Sequence, residues 1–143
     1  MWKSNNPFIA SSCTQVNQPK PSDEEITNLH DAIQQVASET LVDRRFILAI
    51  ILQESKGCLR VPTTSWGVSN PGLMQDHGGT GTCYGVNSYP KENIVQMVQD
   101  GTSGTKGGDG LVTLLDKGVT PCYASDIANR LTGWVSAEYA CTF

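Results

Sequence analysis

Asp43-Arg44-Arg45-Phe46-Ile47-Leu48-Ala49-Ile50-Ile51-Leu52-Gln53-Glu54-Ser55-Lys56-Gly57 contains the longest apolar run of the chain. From Phe46 to Leu52 every residue is apolar, the pattern of a helix enclosed by protein or of a buried strand. Length and flanks select the helix. Asp43 can cap its start, Arg44 to Ser55 supplies about three turns, and Gly57 sits where a left-handed C-cap belongs. Glu54 then rides the last turn of a buried rod. The C-terminal end of a helix carries about half a negative charge, and apolar surroundings strip water from a carboxylate. Both effects raise a Glu pKa. A carboxylic acid that keeps its proton near neutrality can donate it to a leaving oxygen, whereas a solvated Glu at a helix end does nothing chemical.

A length of 143 residues is one domain's worth, enough for a single core. A net charge of −4 and a pI near 5.0, with no Lys/Arg-rich run, give no basic footprint for nucleic acid. The longest apolar run is seven residues, too short to cross a bilayer, and no signal peptide begins at Met1. The chain therefore reads as a soluble, mature form. Cys13, Cys58, Cys83, Cys122 and Cys141 lack the close Cys-x-x-Cys pairs of zinc or redox sites, so disulfides in a secreted protein are the expectation. Five is odd, leaving one thiol over. The expected bond is Cys58 to Cys83, which would tie the end of the Glu54 helix to the loop beyond Gln75; Cys122 then pairs with either Cys13 or Cys141. No Asn-x-Ser/Thr sequon is present.

Residues 1–21 are rich in Ser, Asn, Gln and Pro without a period, which predicts an extended arm preceding a domain over 22–143. Ser22-Asp23-Glu24-Glu25 is a capping box, followed by Ile26, Leu29, Ile33 and Val36 at helical spacing; His30 falls off that stripe and reads as solvated. Between Cys58 and Tyr89, prolines and glycines predict irregular structure or a small β-hairpin, with a tight turn at Gly72-Leu73-Met74-Gln75 whose Leu and Met plug the core. Ser88 opens a further helix, with Ile94, Met97 and Val98 inward and Gly101 as its stop. The glycine-rich run 101–110 lacks the Gly-Lys-Ser/Thr ending of a phosphate loop and reads as a mobile loop. Leu111 to Lys117 predicts a short helix, and Ser125 caps a last one directing Ile127, Leu131, Trp134 and Val135 to the core.

Glu54-Ser55 followed by Gly72-Leu73-Met74-Gln75 resembles the paired motif of the lytic transglycosylase and goose-type lysozyme superfamily. The likeness is strongest from Asp43 to Asp76, and similar secreted fungal muramidase domains extend it through Asp100-Gly101-Thr102 and Ser125 to Leu131. It implies a mainly α, lysozyme-like single domain with a glycine-rich irregular or small β-hairpin region beside a cleft. It also implies a muramidase that cleaves the β-1,4 bond between N-acetylmuramic acid and N-acetylglucosamine in bacterial peptidoglycan, with Glu54 as general acid. Ser55, Gly72, Met74 and Gln75 would line the cleft, with backbone and Gln side chain meeting the sugar's N-acetyl group.

Goose-type lysozymes that hydrolyse have an Asp just after this motif, so Asp76 either positions or deprotonates a water, or simply caps a turn before His77-Gly78-Gly79. An inverting hydrolase separates its two carboxylates by roughly 6.5 to 9.5 Å. Asp100 and Asp109 are reserve candidates. The chain departs from the family where a Tyr-Asn segment usually lines the cleft: only six residues separate Leu115 from Cys122, so Tyr123 takes that place or the cleft is more open. No metal or organic cofactor is implied. The expected partner is peptidoglycan glycan strands, met by a secreted monomer that binds neither nucleic acid nor membrane. The alternatives are a lytic transglycosylase forming 1,6-anhydro products, a non-catalytic peptidoglycan- or chitin-binding effector, and a chitinase-like enzyme.

Overall fold

Apolar residues at helical spacing become helices in the computed structural model, which describes residues 1–65, 67–86, 89–104 and 127–132. In chain order these residues form α1 (Trp2–Ser12), a 3-10 turn (Cys13–Val16), α2 (Asp23–Thr40), α3 (Arg44–Ser55), β1 (Thr64–Ser65), β2 (Ser69–Asn70) and α4 (Lys91–Ser103). The protein is mainly helical, and its only β-pairing among the described residues is the two-residue antiparallel ladder Thr64↔Asn70 and Ser65↔Ser69. No helix among the described residues is long and apolar enough to cross a membrane.

The capping box of α2 forms as its sequence dictates: Glu25 N donates to Ser22 Oγ at 3.1 Å, and Ser22 N donates to Glu25 Oε2 at 2.8 Å. Ile26, Leu29, Ile33 and Val36 are buried along one face. Glu25 has a second task, a buried ion pair with Arg60 at 2.8 Å, and Arg60 lies over the Tyr89 ring. The cap of α2 is thus tied to the chain beyond α3. Asp43 caps α3 by accepting from Arg45 N at 2.8 Å, and Ile47 to Gln53 are all buried. The left-handed C-cap falls on Lys56 (φ 57°) rather than on Gly57. Gly57 follows with φ 81°, and a Cβ there would come within 2.7 Å of Ile9 Cγ1. That glycine is required by a neighbouring helix, α1.

This contact explains the main correction to the sequence reading. Residues 1–21 were expected to be an extended arm, yet Trp2–Ser12 is helical with Ile9 and Asn5 buried. Local propensity in a polar segment is a weak prior that docking overrides. The docked helix brings Cys13 to Cys58, and these two form the disulfide (Cα–Cα 4.7 Å). The expected Cys58–Cys83 bond is absent; Cys83 is a buried free thiol. Burial pushes that thiol up to about 12, against a hydrogen bond with Tyr89 that lowers it.

In α4, Ile94, Met97 and Val98 are buried, and Pro90 stands at the N-cap. Gly101 does not stop this helix, which continues to Ser103. Helices α2 and α4 pack together, and the apolar core runs from Ile9 through α2 and α3 to α4, Leu73 and Ile127. His30 keeps a substantially exposed side chain, as its place off the apolar stripe predicts, while its ring also lies 4.8 Å from that of Trp2. Residues 127–131 are helical with Ile127 buried, but Leu131 is 43% exposed instead of facing the core. The expected helix at Leu111 to Lys117, the glycine-rich run beyond Gly104, Asp109, Tyr123, Ser125, Trp134, Val135, Cys122 and Cys141 lie outside the described residues.

Candidate active site

Helix α3 delivers Glu54, half-buried, to its own C-terminal end. Ser55 closes that end: its hydroxyl donates to Ile51 O at 2.9 Å and accepts from Gly57 N at 3.2 Å. Its side chain is therefore part of the helix terminus. Gln53, just before Glu54, accepts from Arg130 Nε at 2.9 Å, and both groups are buried. Arg130 is thereby fixed next to Glu54's neighbour, a placement that the sequence signalled only through the resemblance of its segment.

The turn Pro71–Asp76 packs its Leu73 and Met74 into the same apolar core as α3. Gln75 N donates to Gly72 O at 3.1 Å and Asp76 N to Pro71 O at 3.2 Å. Gly72 has φ 76°, and a Cβ on it would lie 2.6 Å from Gly81 O, so neither the conformation nor the space admits a side chain. Leu73 and Met74 point into the core, as the tight-turn reading required. Gln75, itself at φ 50°, turns its amide onto its own loop. Its Nε2 donates to Gly72 O at 3.0 Å and Pro62 O at 3.3 Å, while its Oε1 accepts from Thr64 Oγ1 at 2.8 Å. Both amide hydrogens are committed, so the side chain clamps the hairpin to the turn instead of presenting donors to a sugar.

Asp76 is 5% exposed. It opens a second turn in which Gly79 N donates to its backbone carbonyl at 3.0 Å, a bond in which the carboxyl group takes no part. Its side chain lies beneath α4. A Cβ on Gly101 would sit 2.4 Å from Asp76 Oδ1 and 2.4 Å from Met74 Cβ, so the glycine that looked like a helix stop is the point where α4 crosses the turn. Asp76 Oδ2 is buried and finds no hydrogen-bond partner among the described residues. Burial first, then the Asp100 charge, then the Glu54 charge push this carboxyl up to about 8. Asp76 consequently holds its proton at neutral pH, and the free protein does not present it there as a base for water.

Asp100, a reserve candidate, is fully engaged. Its Oδ2 accepts from Thr80 N (3.0 Å), Thr80 Oγ1 (3.1 Å) and Gly81 N (3.0 Å), and its Oδ1 accepts from Gln96 Nε2. It pins the 80–81 loop to α4 and adds its charge to the field at Asp76. The Asp100 and Glu54 carboxyl groups thus both act on Asp76, which lies where the turn meets α4 at Gly101. Among the described residues no group of three His, Cys, Asp or Glu side chains could hold a metal ion. Such a cluster can carry proton-transfer chemistry, because carboxyl groups that share one field do not all ionise together. No family model matches the chain, and neither a curated protein nor a solved structure matches it.

Proposed function

We propose that the protein is a secreted muramidase of lysozyme-like fold, acting on peptidoglycan with Glu54 as proton donor. The observation that supports this reading is that Leu73 and Met74 of the Pro71–Asp76 turn pack into the same apolar core as α3, the helix that bears Glu54, with the Glu54 carboxyl among the groups acting on Asp76. These are the two halves of the motif pair, and twenty-two residues of sequence separation do not bring them together unaided. Glu54 protonates the bridging oxygen as the C1–O bond of the muramic acid breaks, and an oxygen nucleophile adds to C1. The Cys13–Cys58 disulfide supports an oxidising compartment.

The buried, protonated Asp76 favours a second reading within the same chemistry, lytic transglycosylation. There the muramic acid's own C6 hydroxyl attacks C1 and returns its proton to the Glu54 carboxylate, so no second carboxylate is needed. Hydrolysis instead requires a base for water, which Asp76 supplies only after losing its proton.

Clearing of bacterial walls, followed as turbidity with the wild type and Glu54→Gln, tests the proposal. Clearing by the wild type and none by Glu54→Gln is expected, with both proteins equally helical by circular dichroism. Undiminished clearing by Glu54→Gln refutes the assignment; binding without clearing by the wild type leaves a glycan-binding effector, and chitin cleavage with walls intact a chitinase. Product mass separates the two routes, since an anhydro product is about 18 Da lighter than a hydrolytic one.

A further inference from the structure

Away from the carboxyl cluster, α1, α2 and α3 enclose a groove of about 730 Å³, within the usual range of ligand sites. Ile33 and Leu48 form an apolar floor and are 2% and 3% exposed. The tilted pair of Trp2 and His30 makes one wall. The rim is cationic, an unusual concentration in a chain of net charge −4: Lys3, Arg44 and Arg45 line the groove, and among the described residues no carboxylate does.

These three cations are not equivalent. Arg45 is committed to Asp43 through an ion pair at 2.7 Å, and the neighbouring Arg44 charge also reaches that carboxylate. Lys3 and Arg44 form no ion pair within the 4.0 Å limit of a salt bridge among the described residues. Arg44 Nη1 donates to Gln34 Oε1 at 2.9 Å, which holds the guanidinium at the lip with its other N–H groups available. The groove therefore keeps positive charge above an apolar floor. A bare phosphodiester would use the rim and waste the floor, whereas a peptide of small apolar residues with free carboxylates uses both.

We propose that this groove binds a short acidic peptide carrying free carboxylates, of the kind that branches from bacterial glycan strands. The acidic-peptide chemistry stands on the groove alone; its attribution to the wall rests on the muramidase reading. The dimensions agree with that attribution. Arg44 and Glu54 are ten residues apart on α3, or about 15 Å along its axis. Four extended residues span roughly 13 Å, so a branch whose sugar lies near Glu54 covers most of that axial separation.

Calorimetric titration of the full chain with the tetrapeptide N-acetyl-Ala-γ-Glu-diaminopimelate-Ala, which carries three carboxylates against one amine, tests the proposal. The comparisons are the same peptide with its carboxylates amidated, inorganic phosphate, and the Lys3→Gln/Arg44→Gln variant. Both substituted residues are exposed, so the variant should keep its helical signal. Amidation and the double substitution should each weaken binding by about tenfold or more. Equal binding of the amidated peptide, or unchanged binding by the variant, overturns the proposal. Displacement of the peptide by an equal concentration of inorganic phosphate also overturns it, by making the groove a phosphate site. Peptide binding without wall clearing defeats the muramidase reading alone, and clearing without peptide binding defeats the groove alone.

Discussion

Asp76→Asn should change how stability depends on pH. The native carboxyl is lifted from 3.8 to about 8, chiefly because it is buried beneath α4. Between those values the native chain holds a proton that the unfolded chain releases, so unfolding is increasingly favoured as pH rises. The contribution of this group is fully present below pH 3.8 and is lost as pH climbs toward 8. At about 1.4 kcal/mol per pH unit the complete loss is on the order of 5 kcal/mol, a large part of a small domain's stability. Asparagine has nearly the same shape and cannot ionise, so the variant lacks this slope. Guanidinium unfolding of both proteins from pH 5 to 7.5 should show the wild type losing about 3 kcal/mol relative to Asp76→Asn. Parallel stability curves, or an Asp76 carboxyl carbon that titrates below pH 5 by NMR, would refute the burial argument.

Gly101→Ala should be among the costliest small substitutions in the protein. Its Cβ would meet Asp76 Oδ1 and Met74 Cβ at 2.4 Å, so α4 or the turn must move, at about 1 to 3 kcal/mol measured from the denaturant midpoint. An unchanged midpoint would mean that α4 does not cross the turn there. Cys13→Ser/Cys58→Ser removes a link across 45 residues and should cost up to about 4 kcal/mol, seen as a lower thermal midpoint. Because this bond does not join the two sides of the site, wall clearing should survive reduction wherever α3 stays folded. Loss of clearing at full helicity would contradict that.

Helices α2, α3 and α4 were legible because each announces itself locally. A capping box with periodic apolar residues marks α2, an unbroken apolar run behind Asp43 marks α3, and Ile94, Met97 and Val98 mark α4. Helix α1 was not legible. Its sequence is polar and contains Pro7, and its order comes from Ile9 against Gly57 and from the disulfide, contacts with residues more than forty positions away. The wrong disulfide followed directly, since Cys13 reaches Cys58 only once α1 docks.

At the site, Glu54 and the Pro71–Asp76 turn were visible as motifs. The burial of Asp76 was not, because it depends on a helix crossing at Gly101, twenty-five residues later, and a lone glycine reads the same whether it ends a helix or lets one pass. Gln75 misled for a related reason. Its amide is polar enough for a sugar, but Pro62, Thr64 and Gly72 surround it first.

The Cys13–Cys58 bond also has a mechanical side. It lies four residues beyond Glu54, so the jaw bearing that acid is welded to α1 and, through α1, to the groove carrying Lys3. The opposite jaw, Pro71 to Asp76, has no such weld among the described residues; it rests on the notch at Gly101 and on the Gln75 clamp. On the muramidase reading, opening of the site would then fall to the unwelded side. A load applied at the α1 groove travels through a covalent link to Glu54, and severing that link would leave both jaws in place while disconnecting the handle.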